Sequence, residues 1–202
     1  MTGETIIELY ERRAREYDSD RSRSLQERDW LDRFLRFVPP SGTVLDLGCG
    51  MGEPIGRYLI ERGYHVLGVD SSPSLIDLCR QRFPEGEWLV ADMRQVDPGR
   101  RFDGVLAWDS FFHLSMNDQR AMFARFAALA GKGAPLLFTS GTSEGEAIGS
   151  YHGEALYHAS LDPAEYRELL NTHGFVIRAH ATEDPQCGDH TVWLATSVSP
   201  LP

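Results

Sequence analysis

Three glycines, Gly48, Gly50 and Gly52, interrupt the chain directly after the apolar run Val44-Leu45-Asp46-Leu47, with Cys49 and Met51 between them. Glycine lets a backbone turn sharply and lets a ligand approach without meeting a Cβ. Some twenty residues further on, a second apolar run, Val66-Leu67-Gly68-Val69, ends in Asp70, an acid placed to accept hydrogen bonds from ribose hydroxyls. Between the two runs, Ile55, Tyr58 and Leu59 recur at helical spacing. Strand, glycine loop, helix, strand and acid together describe a crevice for a nucleoside. A dinucleotide site demands a third glycine, Gly-x-Gly-x-x-Gly, and the residue in that place is Glu53. A carboxylate there repels the pyrophosphate that a helix N-terminus otherwise attracts. The loop favours a ligand without phosphate.

Leu45-Asp46-Leu47-Gly48-Cys49-Gly50-Met51-Gly52 resembles the first motif of the class I S-adenosylmethionine-dependent methyltransferases. Gly68-Val69-Asp70-Ser71-Ser72, Val90-Ala91-Asp92-Met93 and Phe102-Asp103-Gly104-Val105-Leu106-Ala107-Trp108-Asp109 continue the likeness in order, over roughly residues 40 to 140. The resemblance implies S-adenosylmethionine as cofactor and distributes roles along the motifs. Gly48, Cys49 and Gly50 approach its amino acid and ribose parts; Asp46 reaches either the loop or the donor's ammonium group. Asp70, followed by Ser71, accepts from the ribose. Asp92 and Met93 hold adenine, the carboxylate on the exocyclic amine and the thioether against the ring. Tyr17-Asp18 resembles the tyrosine that folds over the methionine end in small-molecule members.

Methyl transfer from a sulfonium is an in-line displacement. Alignment of nucleophile, methyl and sulfur contributes about 7–11 kcal/mol, and a base, where the acceptor carries a proton, adds about 10²–10⁴-fold. The candidates for this chemistry lie in Trp108-Asp109-Ser110-Phe111-Phe112-His113. Trp108 offers an aromatic face to a cation. Asp109 either orients the acceptor or braces its loop. His113 packs over the cofactor, takes a proton near an ordinary pKa of about 6.5, or is structural. Tyr151, His152, Glu154, His158 and His190 are acceptor-side candidates. The stretch lacks the Asn/Asp-Pro-Pro-Tyr/Phe motif of adenine methyltransferases and the acid cluster of the magnesium-dependent catechol enzymes. No nucleic-acid substrate and no metal are expected.

These residues need a scaffold. Apolar runs predict strands near 43–47, 65–69, 87–91, 103–108, 134–140, 175–182 and 190–197. Helices are predicted near 4–17, 24–37, 53–62, 73–82 and 117–130, with a further one starting at Asp162-Pro163. Ser72-Pro73 and Ser115-x-x-Asp118 read as helix starts. Alternation of strand and helix predicts a doubly wound, mostly parallel α/β sheet. The resemblance implies a Rossmann-like methyltransferase fold with strand order 3-2-1-4-5-7-6, the seventh strand antiparallel. The expected organisation is one domain over 1–202: an N-terminal helical cap (1–40), a cofactor-binding core (41–140), a lid or substrate loop (141–160) without regular period, and a C-terminal helix and β-hairpin (161–202).

The 202 residues carry a net charge of −10, without the basic footprint of a nucleic-acid binder. Three dispersed cysteines fit a reducing compartment, and no apolar run reaches membrane-spanning length. A cytoplasmic methyltransferase acting on an oxygen or nitrogen of a small molecule is the leading expectation, with oligomeric state open. A nicotinamide-dependent oxidoreductase and a non-catalytic S-adenosylmethionine-binding partner or sensor domain are the alternatives.

Overall fold

A computed structural model describes residues 3–198. Seven strands form one sheet: β1 (Thr43–Leu47), β2 (His65–Asp70), β3 (Glu87–Val90), β4 (Gly104–Ala107), β5 (Pro135–Ser140), β8 (Phe175–Asp184) and β9 (His190–Ser197). Their order is β3-β2-β1-β4-β5-β9-β8. The first five run parallel, and β9 lies antiparallel to β5, with Phe138 opposite Trp193. This is the expected topology, its last two strands renumbered because β6 (Gly145–Tyr151) and β7 (Glu154–Ser160) intervene as a separate two-stranded sheet.

The helices are α1 (Gly3–Arg12), α2 (Ala14–Asp20), α3 (Arg28–Leu35), α4 (Ile55–Glu61), α5 (Pro73–Arg82), α6 (Met116–Leu129) and α7 (Pro163–Thr172). The single helix expected over 4–17 is therefore two, broken at Arg13. Side-chain caps fall where the sequence puts them. Ser72 Oγ accepts from Leu75 N–H, Ser115 Oγ from Asp118 N–H, and the Asp162 carboxylate from Ala164 N–H. Each such cap is worth about 1 kcal/mol.

Strand alternation sends successive side chains to opposite faces of the sheet. On β1, Leu45 and Leu47 enter a core with Phe111, Phe123, Phe126, Phe138, Tyr166 and Trp193, while Val44 enters a second with Trp30, Phe34 and Leu59. Gly104 sits on β4 where Phe34 presses closest; a Cβ there would stand 2.5 Å from Phe34 Cζ. Burial on both faces explains why the parallel strands read as continuous apolar runs.

Residues 141–160 are not the irregular loop expected. They hold the β6–β7 hairpin, closed by His152 (φ 48°) and Gly153 (φ 79°), the two positive angles of a type I′ turn. From Gly145 to Ser150 every residue of β6 is exposed, so no inward–outward alternation marks it in the sequence.

Candidate active site

A cleft with about 720 Å³ of empty space, its open mouth included, lies at the carboxyl ends of β1, β2, β3 and β4. Its floor is Gly48, Gly50, Asp70, Ser71 and the Asp92-Met93-Arg94 turn; its far wall is Asp109, Ser110 and His113; α1 and α2 roof it with Ile6, Ile7, Tyr10 and Tyr17.

The glycine loop is a tight cradle. Gly48 (φ +78°) has no room for a side chain, since a Cβ would fall 2.2 Å from Ser110 Cβ; at Gly50 (φ +57°) it would fall 3.1 Å from Tyr17 Cε1. The N–H groups of the loop's first three residues are spent internally. Gly48 and Cys49 N–H donate to the Val69 carbonyl at 2.7 and 3.1 Å, and Gly50 N–H donates to Asp70 Oδ2 at 3.0 Å. The other Asp70 oxygen accepts from Ser72 N–H at 2.9 Å. No fan of free N–H groups awaits a phosphate, whereas the Asp70 carboxylate, with the N–H groups of Gly50, Ser71 and Ser72 on its four lone pairs, keeps one for a hydroxyl. Burial pushes the Asp70 carboxyl above its ordinary range, and the N–H donors of Ser72, Gly50 and Ser71 act against that rise.

Asp92 is clasped by Arg94, whose Nε reaches both carboxylate oxygens (3.1 and 2.9 Å) and whose Nη2 reaches one at 2.6 Å. Burial opposes ionisation of Asp92, and Arg94 outweighs it, so the carboxyl is held below its ordinary range. Met93 lies beside it, with its terminal methyl near Gly48. Arg94 also reaches Asp118 at 3.1 Å, tying this turn to the start of α6.

His113, on the short helical turn Phe111–His113, is 7% exposed. Its Nδ1 donates to the Tyr157 carbonyl at 2.9 Å. That fixes Nε2 as the acceptor, and it takes the Tyr10 hydroxyl at 3.0 Å. Burial lowers the imidazole to about 4, so at neutral pH it is an uncharged ring with its lone pair engaged. Tyr17 meets Tyr10 edge to face with centroids 5.2 Å apart, and burial raises its phenol to about 12.

Asp109 occupies the left-handed region, φ 49°, which aims its carboxylate at a charged cluster. Oδ1 lies 2.8 Å from His190 Nε2, and Oδ2 accepts from Arg21 at 3.2 Å. His190 Nδ1 faces the Cys187 carbonyl at 2.6 Å, so both ring nitrogens face acceptors. The Asp109 carboxylate accordingly raises the His190 pKa above its ordinary value. Burial disfavours the Asp109 charge, but His190 and Arg21 outweigh it and hold the carboxyl low. Arg21 also lies 3.7 Å from Glu27, whose carboxylate is 4% exposed.

Several expected site residues lie elsewhere. Asp46, 3% exposed, sits beneath the loop, where burial and the neighbouring Asp70 push its carboxyl up to about 7. Cys49 is buried beside Cys79. Trp108 alternates to the opposite sheet face and packs on His190 with centroids 5.4 Å apart. None of the three lines the cleft. Tyr151 and His152, at the hairpin tip, bond Asp20 of α2 at 3.2 and 2.7 Å. Glu154 receives Arg12 and Arg13 at 2.6 and 2.8 Å. His158 packs at a tilt against both Phe112 and His113, with centroids 5.3 and 4.8 Å away, and faces a separate open depression beside Ser140–Glu144.

Sequence reading missed Tyr10, Arg21, Arg94 and Glu11. Glu11 accepts from the Ser74 hydroxyl (2.7 Å) and N–H (3.1 Å) and from the Ser72 hydroxyl, fastening α1 to the first turn of α5. Tyr10 stands seven residues before Tyr17, two helical turns away, a spacing visible in the sequence.

A family model described as a methyltransferase domain matches residues 44–133. Over 66 residues the chain is 41% identical to the mouse (Mus musculus) 18S rRNA (guanine-N(7))-methyltransferase, covering 32% of this chain and 23% of that protein. Over 87 residues it is 41% identical to trans-aconitate 2-methyltransferase of Azoarcus sp. (strain BH72), covering 42% of this chain and 33% of that protein. The chain thus spans about a quarter to a third of the length of these two relatives. The Burkholderia thailandensis 1,6-didemethyltoxoflavin-N1-methyltransferase, solved with 1,6-didemethyltoxoflavin and S-adenosylhomocysteine, superposes with a TM-score of 0.73 at 20% identity, covering 96% of this chain and 87% of that one. The family model thus identifies residues 44–133, which hold the glycine loop and the strands flanking it, as a methyltransferase domain of the class I S-adenosylmethionine-dependent kind, and the chain shares its fold with the Burkholderia enzyme.

Proposed function

We propose that this protein transfers a methyl group from S-adenosylmethionine to an oxygen or nitrogen of a small molecule. One observation carries the reading: Gly48, Cys49 and Gly50 of the glycine loop have engaged their N–H groups internally, and the loop offers a carboxylate, Asp70, in place of a phosphate cradle. That chemistry suits an adenosyl ligand without phosphate and disfavours a nicotinamide dinucleotide. The cofactor supplies a methyl on a positively charged sulfur, whose charge disperses as the methyl leaves.

The chain's own residues do the rest. Asp70 accepts from the ribose hydroxyls. Asp92, ionised and pinned by Arg94, presents acceptor capacity to the adenine amine, and Met93 offers a thioether to the ring. Gly48 and Gly50 let the backbone approach the ligand. Tyr10, Tyr17, Asp109 and His113 bound the transfer point and exclude water from it. His113, with its pKa near 4 and its lone pair engaged, is a poor proton acceptor at neutral pH; its work is to hold the Tyr10 hydroxyl at the wall. Asp109, ionised, accepts the N–H or O–H of the incoming nucleophile and orients it. The helices of 1–40 roof the site, and the 141–160 hairpin, tied to α1 and α2 through Glu154 and Asp20, closes its side.

A small acceptor is supported by the −10 net charge, which repels a polyanion, and by the similarity to the trans-aconitate enzyme. The similarity to the rRNA enzyme makes RNA the alternative to test. Calorimetry with S-adenosylhomocysteine should give a binding isotherm in the micromolar range; absence of heat rejects the cofactor reading. Incubation of labelled S-adenosylmethionine with separate metabolite and RNA fractions should label the metabolite fraction. Label in RNA alone rejects the small-molecule reading.

A further inference from the structure

The outer strand of the hairpin has an open edge. Among the described residues β6 pairs with β7 and with no other strand. In a two-residue type I′ hairpin the residues flanking the turn, here Tyr151 and Glu154, exchange hydrogen bonds, and bonding then alternates along the strand. The N–H and C=O groups of Glu146, Ile148 and Ser150 therefore point away from β7. Proteins close such edges with lysine, proline, a bulge or a short strand, because an open edge recruits another strand. β6 has seven residues, no lysine and no proline, and its register with β7 is unbroken. At its centre Ile148 is 58% exposed.

We infer that β6 pairs antiparallel with β6 of a second copy of this chain, across a two-fold axis at Ile148. That register sets the exposed isoleucine of each copy against the other and uses all three outward-facing residues. Ile148 meets its counterpart and Glu146 meets Ser150 twice, each pair exchanging two hydrogen bonds, and no like charges stand opposed. A register centred on Glu146 opposes two carboxylates; one centred on Ser150 leaves Glu146 outside the ladder. Ile148 shares a face with its cross-strand partner Tyr157, which is 3% exposed in the cluster of Ile6 and Leu9. Pairing extends this cluster across the axis and covers both isoleucines. The product is a four-stranded sheet made from two hairpins.

Light scattering coupled to size exclusion, across a concentration series reaching tens of micromolar, tests this. Wild type should approach twice the monomer's 22.7 kDa. Ile148→Pro should be monomeric with an unchanged circular dichroism spectrum, since the N–H it removes points outward and supports no bond to β7. Ser150→Glu should also be monomeric, because it opposes Glu146 of the other copy. Adding Glu146→Lys to Ser150→Glu should restore the dimer, and Ser150→Lys alone should tighten it several-fold. A monomeric wild type at every concentration overturns the proposal, as does a dimer that survives Ser150→Glu and does not respond to Ser150→Lys.

Discussion

Gly50 and Asp70, twenty positions apart, are joined by a 3.0 Å hydrogen bond from the glycine N–H to the aspartate Oδ2. The bond ties the first turn of the crevice to the end of β2, so the same carboxylate that lines the cleft also shapes the loop beneath it. The second Asp70 oxygen does the same for the start of α5 through Ser72. The cleft lining and the loop geometry thus share one side chain.

Asp70→Ala should weaken S-adenosylhomocysteine binding by ten-fold or more, the loss of hydrogen bonds to a charged group worth about 1.5–3 kcal/mol. Asp70→Asn should fall between, since it keeps one acceptor oxygen. Calorimetry on both variants, with thermal melts to confirm folding, measures this. Unchanged affinity removes the ribose role.

Gly48→Ala combines a positive φ with a Cβ 2.2 Å from Ser110 Cβ, so it should destabilise by about 3 kcal/mol or more, beyond the strain of the angle alone. Gly133→Ala has the same strain, φ +76°, but nothing within 4 Å, and should cost about 1 kcal/mol. Urea unfolding of the pair separates the clash from the angle.

His113 and Asp46 should have opposing effects on the pH dependence of stability. The folded pKa of His113, about 4, lies below its unfolded 6.5, so its contribution is lost as pH falls from 6.5 to 4. Asp46 has a folded pKa of about 7 against 3.8 unfolded, so its contribution is lost as pH rises from 3.8 to 7. Each slope approaches about 1.4 kcal/mol per pH unit, with opposite sign. Wild-type stability should be nearly flat between pH 4.5 and 6.5 with respect to this pair. Relative to wild type, Asp46→Asn should become more stable with rising pH by the lost Asp46 slope, and His113→Gln should shift the other way. Denaturant midpoints across that range test it; parallel curves for all three proteins refute the burial assigned to both groups.

Arg21→Met removes the cation shared by Asp109 and Glu27 and leaves two largely buried carboxylates with less compensation. Breaking a buried ion pair from one side costs about 3–5 kcal/mol, and the 24% exposure of Arg21 places the expected loss near the lower figure. Methyl transfer should fall with it, because Asp109 loses one of its two anchors. Arg21→Lys should recover most of the stability. Equilibrium unfolding and initial rates on the same samples measure both effects.

Much of the frame is legible in the residues. β1, β2 and β5 announce themselves because both sheet faces are covered and their central side chains are mostly apolar. Ser72 and Asp162 mark their helices because a cap is a local bond between near neighbours. The hairpin over 145–160 is not legible, since an exposed strand such as β6 has no buried face to impose a period of two. The break at Arg13 is equally invisible, because that residue turns toward Glu154, 141 positions away.

The chain's order alone determined the crevice: a glycine loop that can bend, an acid one helix and one strand later, and a parallel sheet to hold them, all consequences of short-range geometry. Tertiary packing decided which side chains the crevice owns. It hid Asp46, Cys49 and Trp108 beneath or behind the sheet, brought Tyr10 to His113, and set His190 against Asp109. It also chose the charge states there, because a proton's free energy depends on burial and on partners that arrive from distant segments.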